Sequence, residues 1–586
     1  MLTRIQIRNF KRLREADVEL GDSVVLIGPN NMGKTTALQA ITLWGIGVQK
    51  WKGKRDVKSK ADERSGVAIS RNDLFAIPVP TANLLWYDLH TRSLKRTPPP
   101  PGKDKPVLTT KNVYVDIVME GMSGGREWKC GLEFYYANTE SFYVRPLRLT
   151  DEEKPPRMEI PPEATKVQVA YLPPMSGLAD REFLKHPDET SFLIGQGQTA
   201  QVLRNLVWRI YEKNADDHSW EKVKSHVLDL FGVTLLDPVR MERAEIKVEY
   251  EEKGKSGIRL DLSCSGRGLQ QTLLLLVHLY ANPGTVLLLD EPDAHLEVFR
   301  QRQTYQLLTD VAGEQGSQII AASHSEVVLN EAAEKHIVVA FVGKPHRIDD
   351  RGSQVRKALL DYGYDHYYQA EQRGWVLYLE GSTDLAILQS FAKTLGHEAQ
   401  SLLERPFVHY VANQPPKAAE HFHALREAKP DLVGLAIFDH RDRDLPEHPD
   451  CLVMRQWSRC EIENYLCMDE VLMAYTRQGL SDTDMIGYSL IPQREKAMRE
   501  SIDKLSEALK TMNRAEPWSP SIKATDDFLD RLFDLYFEKL KLPNLMRKSN
   551  YHILASLVPK EKMDPEVSEM LDAICAVAAE AKPAEM

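Results

Sequence analysis

The octapeptide GPNNMGKT, Gly28 to Thr35, spaces two glycines, a lysine and a threonine as G-x-x-x-x-G-K-[ST]. That arrangement suits phosphate: the turn opens a helix whose backbone N–H groups and dipole face an anion, the lysine reaches the outer phosphates, and the hydroxyl meets Mg2+. Gly28, Asn30, Asn31, Gly33, Lys34, Thr35 and Thr36 are the contacts it predicts. Three later stretches complete the chemistry. TVLLLDEPD carries an apolar run into Asp290 and Glu291, a carboxylate for the metal shell beside one that activates water. QIIAASHS carries another into His324, which can sense a γ-phosphate, and SCSGRGLQQ opens a helix on a small-residue turn at Ser265 and Gly266. ATP and Mg2+ are the cofactors so implied, with Thr35 and Asp290 touching the ion.

A second constellation is acidic. VLYLEGSTD runs an apolar strand into Glu380, then a turn, then Asp384. LVGLAIFD runs another into Asp439, followed by Asp442 and Asp444 in DHRDRD, and SRCEIENYL adds Glu461 and Glu463. Clustered carboxylates repel one another unless a cation sits among them, and an all-oxygen donor set suits Mg2+ or Mn2+. A polar turn is the other reading of DHRDRD; the strand before it and Glu380 upstream favour a metal-binding loop.

These residues need elements to hold them. RIQIRNF alternates as a strand, and DSVVLIGPNNMGKTTALQAITLW reads as strand, glycine turn and helix. Residues 198–232 have helical spacing, and a strand–helix series runs from about 245 to 342. GWVLYLEGSTDLAILQSFAKTLG begins a second strand–turn–helix unit, and the chain turns helical after about 480. Residues 51–190 are less regular and include the proline-rich TPPPPGKDKP, expected as an exposed loop. VQKWKGKRDVKSK places Lys50, Lys52, Lys54, Arg55, Lys58 and Lys60 around Trp44 and Trp51, either a local basic surface or a solvated loop.

Composition bounds the answer. With 42% hydrophobic and 27% charged residues the chain can bury substantial cores. A net charge of −10 argues against a wholly basic nucleic-acid coat but leaves room for a local patch. No apolar run approaches the roughly 20 residues of a membrane helix. The N-terminus MLTRIQIRNFKRL lacks a signal-peptide core, and the six cysteines include no C-x-x-C pair. A cytoplasmic protein without a membrane partner is expected.

In this order, GPNNMGKT, SGRGLQQ, LLLDEPDAHLE and SHS resemble the Walker A, signature, Walker B and switch-histidine segments of ABC-type ATPase heads in the chromosome-maintenance and recombination group. There the signature of one subunit closes over the nucleotide of another. The resemblance thus implies a homodimer or higher homo-oligomer through the heads, with Ser265 and Gly266 acting in trans. LEGSTD and IFDHRDRD resemble the Toprim domain of topoisomerases, primases and certain nucleases. In series, the two resemble the OLD (overcoming lysogenization defect) family of ATPase–nucleases, which includes phage-exclusion and bacterial anti-phage effectors. YLPPMSGL, residues 171–178, looks like a recurring piece of such ATPase domains.

The resemblance implies an α/β fold. An ABC-type P-loop head would fill 1–345, with an inserted helical dimerisation region and arm at about 51–240. A connector at 346–372, a Toprim-like domain at 373–480 and a helical region at 481–586 would follow. It casts Glu291, His324, Glu380 and Lys548 (in MRKSNYHILASL) as catalytic residues. Asp384, Asp439, Asp442, Asp444 and Glu463 join Glu380 as metal ligands. The family's D-x-D would place its second aspartate at Arg441, so the pair here is Asp439 with Asp442 or Asp442 with Asp444.

The activity implied is an ATP-hydrolysing, Mg2+- or Mn2+-dependent endonuclease acting on nucleic acid, DNA before RNA, in anti-phage defence. An accessory defence protein or a nucleic-acid inhibitor would be a further partner. The alternative is an ATPase scaffold or sensor, with a degenerate Toprim domain, that holds a partner effector. A transporter ATPase ranks last, because it leaves the C-terminal half without a task.

Overall fold

The computed structural model describes residues 1–56, 66–74, 77–97, 107–150, 155–175, 177–195, 198–252, 257–348, 363–441, 445, 451–480 and 485–584. The chain divides into two compact units, Met1–Gly352 and Ser353–Glu585.

In the first unit β1 (Leu2–Phe10) and β2 (Leu13–Glu19) form a hairpin whose buried Ile5 and Ile7 alternate with paired surface charges, Arg4 with Asp17 at 2.7 Å and Arg8 with Glu15 at 3.4 Å. β3 (Ser23–Ile27) then runs into the glycine loop and α1 (Lys34–Asp56). β4 (Val67–Ser70), β5 (Tyr114–Ser123), β6 (Arg126–Asn138) and β7 (Ser141–Pro146) complete an antiparallel six-stranded sheet ordered β2-β1-β5-β6-β7-β4. The helical insert expected at about 51–240 is therefore largely β-structure. Val115, Ile117, Val118, Phe134, Tyr135 and Tyr136 are the β-branched and aromatic residues that favour a pleated surface. Among the described residues the α-helical part of that insert after α1 is Pro187–Gly195, α2 (Leu203–Asp217) and α3 (Ser219–Phe231), the last two in the stretch 198–232 whose spacing is helical.

The basic stretch is no loop as far as Asp56, since it continues α1. Trp44 is fully buried, stacks on Trp128 with ring centroids 6.0 Å apart, and donates Nε1–H to Cys130 O at 3.1 Å. Lys50 pairs with Asp73 at 2.7 Å. The tryptophans thus belong to the core, and Lys58 and Lys60 lie outside the described residues.

β8 (Val169–Leu172), α4 (Arg267–Ala281), β9 (Val286–Asp290), α5 (Val298–Glu314), β10 (Gln318–Ala322), α6 (Glu326–Lys335), β11 (Ile337–Ala340) and β12 (His346–Arg347) build the second sheet. Its order is β8-β9-β10-β3-β11-β12, parallel except for β12. A parallel sheet is buried on both faces, so its strands read as unbroken apolar runs. Val24, Leu26, Leu288 and Ile320 pack toward α1, while Leu287, Leu289, Ile319 and Ala321 join the leucines of α4.

The second unit opens with α7 (Tyr364–Arg373), β13 (Trp375–Leu379), α8 (Ser382–Leu395), β14 (Val408–Tyr410), α9 (Pro415–Ala428), β15 (Val433–Phe438) and β16 (Leu452–Gln456). The four strands form a parallel sheet ordered β14-β13-β15-β16. Leu377, Leu379, Leu435 and Ile437 face a core shared with α10 (Met485–Thr511), α11 (Asp530–Leu540) and α12 (Pro565–Glu580). The helices after 480 thus close one face of this sheet. Val376, Tyr378, Ala436 and Phe438 face the other way, with Phe422 of α9.

Candidate functional site

Two sites can be built from these strand ends. At the first, β3, β10 and β9 lie side by side and parallel, so the glycine loop, His324 and Asp290 leave the sheet at one edge, where ligands of open α/β sheets bind. Gly28 and Gly33 adopt φ of 141° and 104°. A Cβ at Gly28 would stand 2.7 Å from Phe341 O, and one at Gly33 2.8 Å from Leu13 Cδ2, so both positions exclude a side chain. Arg12 donates to Asn31 O at 3.0 Å and ties the loop to the first hairpin. Asn30, Asn31 and Thr35 are exposed at its mouth, and Thr36 is buried.

Lys34 is 5% exposed, and its Nζ donates to Gly28 O at 2.5 Å and Pro29 O at 2.9 Å. His324 Nε2 stands 3.1 Å from that nitrogen and 3.7 Å from Glu291 Oε1. Burial pulls the Lys34 ammonium down to about 8, and burial with Lys34 alongside lowers His324. A phosphate placed here would reverse both penalties. Thr35 Oγ1 donates to Asp290 Oδ1 at 3.1 Å, and burial raises the Asp290 carboxyl. Glu291 sits at φ 50°, a left-handed conformation costly for a non-glycine residue and frequent at functional sites. Ser265 and Gly266 lie at the N-terminus of α4, half-buried and exposed respectively.

Tyr171 is the residue that motif reasoning missed. Its hydroxyl donates to Asp290 Oδ2 at 2.9 Å, which with Thr35 leaves that carboxylate oriented from both sides. Tyr171→Phe is expected to slow Mg2+-dependent ATP hydrolysis about tenfold, as loss of an orienting partner does. ATP binding in EDTA should be unchanged, and equal hydrolysis rates in a coupled assay would show that the hydroxyl orients nothing.

At the second site β13 and β15 are hydrogen-bonded neighbours, so Glu380 and Asp439 emerge together. Asp384 Oδ2 accepts the backbone N–H of Glu380 at 3.1 Å and of Gly381 at 3.3 Å, capping α8. Glu463, on a short helical turn (Ile462–Leu466), is 1% exposed. Lys548 Nζ stands 3.2 Å from Glu463 Oε1, an ion pair more than an aligned hydrogen bond. Glu461 Oε1 accepts the N–H of Thr525 at 2.5 Å from the π-helical turn Ala524–Leu529.

Electrostatics define this cluster. Burial, then Glu380, Asp384 and Glu463, push the Asp439 carboxyl up to about 9. Burial and Glu380 raise Asp384, burial raises Glu463, and burial and Glu463 raise Glu461. Burial opposes the Lys548 charge, but Glu463, Glu461 and Asp384 outweigh it and hold the ammonium above its usual range. A divalent cation fits an all-carboxylate donor set under such repulsion. Among the described residues no three of these carboxylates bring their oxygens within 4.8 Å of one another. Asp442 and Asp444 lie outside the described residues. Arg441 turns its guanidinium to Asn413 O, away from the role of an aspartate.

Comparison with known proteins reaches parts of the chain. Residues 1–72 match the family described as "AAA ATPase domain", and residues 243–330 the one described as "AAA domain, putative AbiEii toxin, Type IV TA system". Over 43 residues the chain is 49% identical to an "OLD nuclease" of Thermus scotoductus; the match spans 7% of this chain and 8% of that relative. The SMC head domain from Thermotoga maritima aligns with 59% of this chain and 98% of its own, at 15% identity and a TM-score of 0.32. The Smc head of Pyrococcus furiosus, with an extended coiled coil and bound to the C-terminal domain of ScpA, aligns over 59% and 96%, at 12% identity and a TM-score of 0.33. The two family models mark ATPase sequence at 1–72 and 243–330.

Proposed function

We propose that this chain is an OLD-family ATPase–nuclease: an ATP-regulated, Mg2+- or Mn2+-dependent endonuclease whose second unit is a Toprim-type domain acting on DNA in preference to RNA. One observation carries the reading: Glu380 and Asp439 at the ends of adjacent parallel strands, Asp384 in the first turn of α8 and Glu463 on its short helical turn crowd their carboxylates together, with Lys548 against Glu463. When bound there, the cation would polarise a scissile phosphate and activate water. Glu380 and Asp439 face the reacting phosphate, and Asp384 is held in place by its backbone hydrogen bonds. Lys548 supplies a fixed positive charge for the phosphoryl oxygens, oriented by Glu463.

In the first unit Lys34 holds the outer phosphates, Thr35 and Asp290 the ion, Glu291 the attacking water, and His324 reports whether a γ-phosphate is present. Ser265 and Gly266, accessible at the start of α4, would close on the nucleotide of a second copy. Val298 and Phe299, 66% and 60% exposed just after the DEPDAHLE loop, give that copy an apolar seat. An anti-phage role follows from the family, with an accessory protein or a nucleic-acid inhibitor as a further partner. Among the described residues no helix is long and apolar enough to cross a membrane.

Arg441 favours a second reading, an ATPase scaffold with a degenerate Toprim domain, because it occupies the position of an expected aspartate. Cleavage of plasmid DNA and of a tRNA pool with Mg2+ or Mn2+, with and without ATP, separates the two. Products that disappear with Glu380→Ala are expected; products unchanged in that variant would reject the nuclease.

A further inference from the structure

Three histidines of the second unit converge away from the carboxylates. His366 is on α7, His409 on β14 and His421 on α9, and one ring nitrogen from each lies within 4.8 Å of the others. No other trio of His, Cys, Asp or Glu donors comes so close among the described residues. His366 Nδ1 is 2.8 Å from His421 Nε2, and the His409 ring stacks on His421 with centroids 3.9 Å apart and planes 12° apart. His421 is fully buried, and Phe407 and Phe422 line the surroundings.

Packing three imidazoles in an apolar pocket is costly unless their nitrogens are used. His421 Nδ1 is 2.9 Å from the Tyr378 hydroxyl, and His409 makes ring contacts but no hydrogen bond among the described residues. Tyr378 stands where a metal-ligating histidine keeps its orienting partner: in the tautomer that donates Nδ1–H to it, the Nε2 lone pair of His421 faces His366, while His409 lies stacked over the His421 ring. Three imidazole nitrogens make a borderline-soft donor set, unlike the oxygen cluster at Asp439.

We propose that His366, His409 and His421 bind one zinc-class transition-metal ion, joining α7 to β14 and α9. Ligation at about 2.0–2.1 Å asks the 2.8 Å nitrogen pair to open by roughly half an ångström, a side-chain adjustment. Three protein ligands leave a fourth position for water, the arrangement of an open zinc site. Burial and the neighbouring rings lower both His409 and His421, in the direction of the neutral imidazole that ligates a metal.

The test uses the full chain stripped with chelator, saturated with Mg2+ to occupy the carboxylates, and titrated with Co2+ and then Zn2+. A visible Co2+ absorption band reaching one equivalent per chain, and displaced by Zn2+, is expected. Asp439→Asn should retain it, Tyr378→Phe should weaken Zn2+ binding about 10–100-fold, and His421→Phe should abolish it. Should His421→Phe fail to fold, His409→Gln, at a half-buried edge-strand position, removes a ligand with little packing cost. Absence of the band, its persistence in His409→Gln, or its loss in Asp439→Asn would each overturn the proposal.

Discussion

Asp439→Asn is expected to abolish metal-dependent cleavage and, in EDTA, to raise the melting temperature of the chain by a few degrees. Both effects come from one cause. Asp439 leaves β15 buried beside Glu380, and burial, then Glu380, Asp384 and Glu463, hold its carboxyl up to about 9. The unfolded side chain would titrate near 3.8. Between those values the folded state carries a proton that the unfolded state has released, so metal-free stability falls as pH rises from about 4 to about 9. Asparagine is isosteric with the protonated acid and carries no such penalty, so the variant's stability should change less steeply with pH across that window. The same substitution removes a charge from the proposed cation site and should lower cleavage by at least about 100-fold. Thermal melts from pH 5 to 9 in EDTA, beside plasmid cleavage in Mn2+, check both. A variant that loses activity and also melts lower at every pH would mean that Asp439 serves the fold and not a metal.

Much of the first site was legible because each part is contiguous. GPNNMGKT contains its own turn, donors and lysine, and TVLLLDEPD and QIIAASHS each present a strand with its terminal residue. Sheet order then brings three strand ends to one edge. The acidic strand ends at Glu380 and Asp439 could be read in the same way. What could not be read is what arrives from a distance. Tyr171, the first residue of YLPPMSGL, reaches Asp290 from a separate strand, a contact that the motif itself does not spell out, and Glu461 takes its hydrogen bond from Thr525. The histidine trio leaves no local spacing at all, one residue on each of three elements. Residues 51–190 looked less regular although β5, β6 and β7 follow one another as local hairpins; what leaves no local signal is the pairing of β5 with β1 and of β4 with β7, partners far apart in sequence. The Trp44 and Trp51 pattern misled for the opposite reason: on a helix followed by lysines, aromatic spacing seats a core as readily as it stacks bases.

Glu291→Gln and Lys34→Ala should move the nuclease in opposite directions if nucleotide in the first unit governs cleavage in the second. Lys34 is buried, with its Nζ on two carbonyls of its own loop and 3.1 Å from His324 Nε2, where an incoming phosphate would meet its charge. Its loss should weaken ATP binding by at least about tenfold, the scale of a charge-assisted phosphate contact. Glu291 faces the same space, 3.7 Å from His324 Nε2, and is the group proposed to activate water. Glutamine there should leave ATP bound while hydrolysis drops by about 100- to 10,000-fold, the usual range for a general base. The second variant therefore accumulates the ATP-bound state that the first cannot reach. With Ser265 and Gly266 accessible for a partner's nucleotide, that state should also be the dimer, visible by size-exclusion chromatography in ATP and dispersed by Ser265→Arg. Cleavage rates of the two variants then bracket the wild type, the sign of the difference telling whether ATP licenses or restrains the nuclease. Identical rates in both, with ATP binding altered as described, would leave the two units chemically independent and remove ATP regulation from the proposed function.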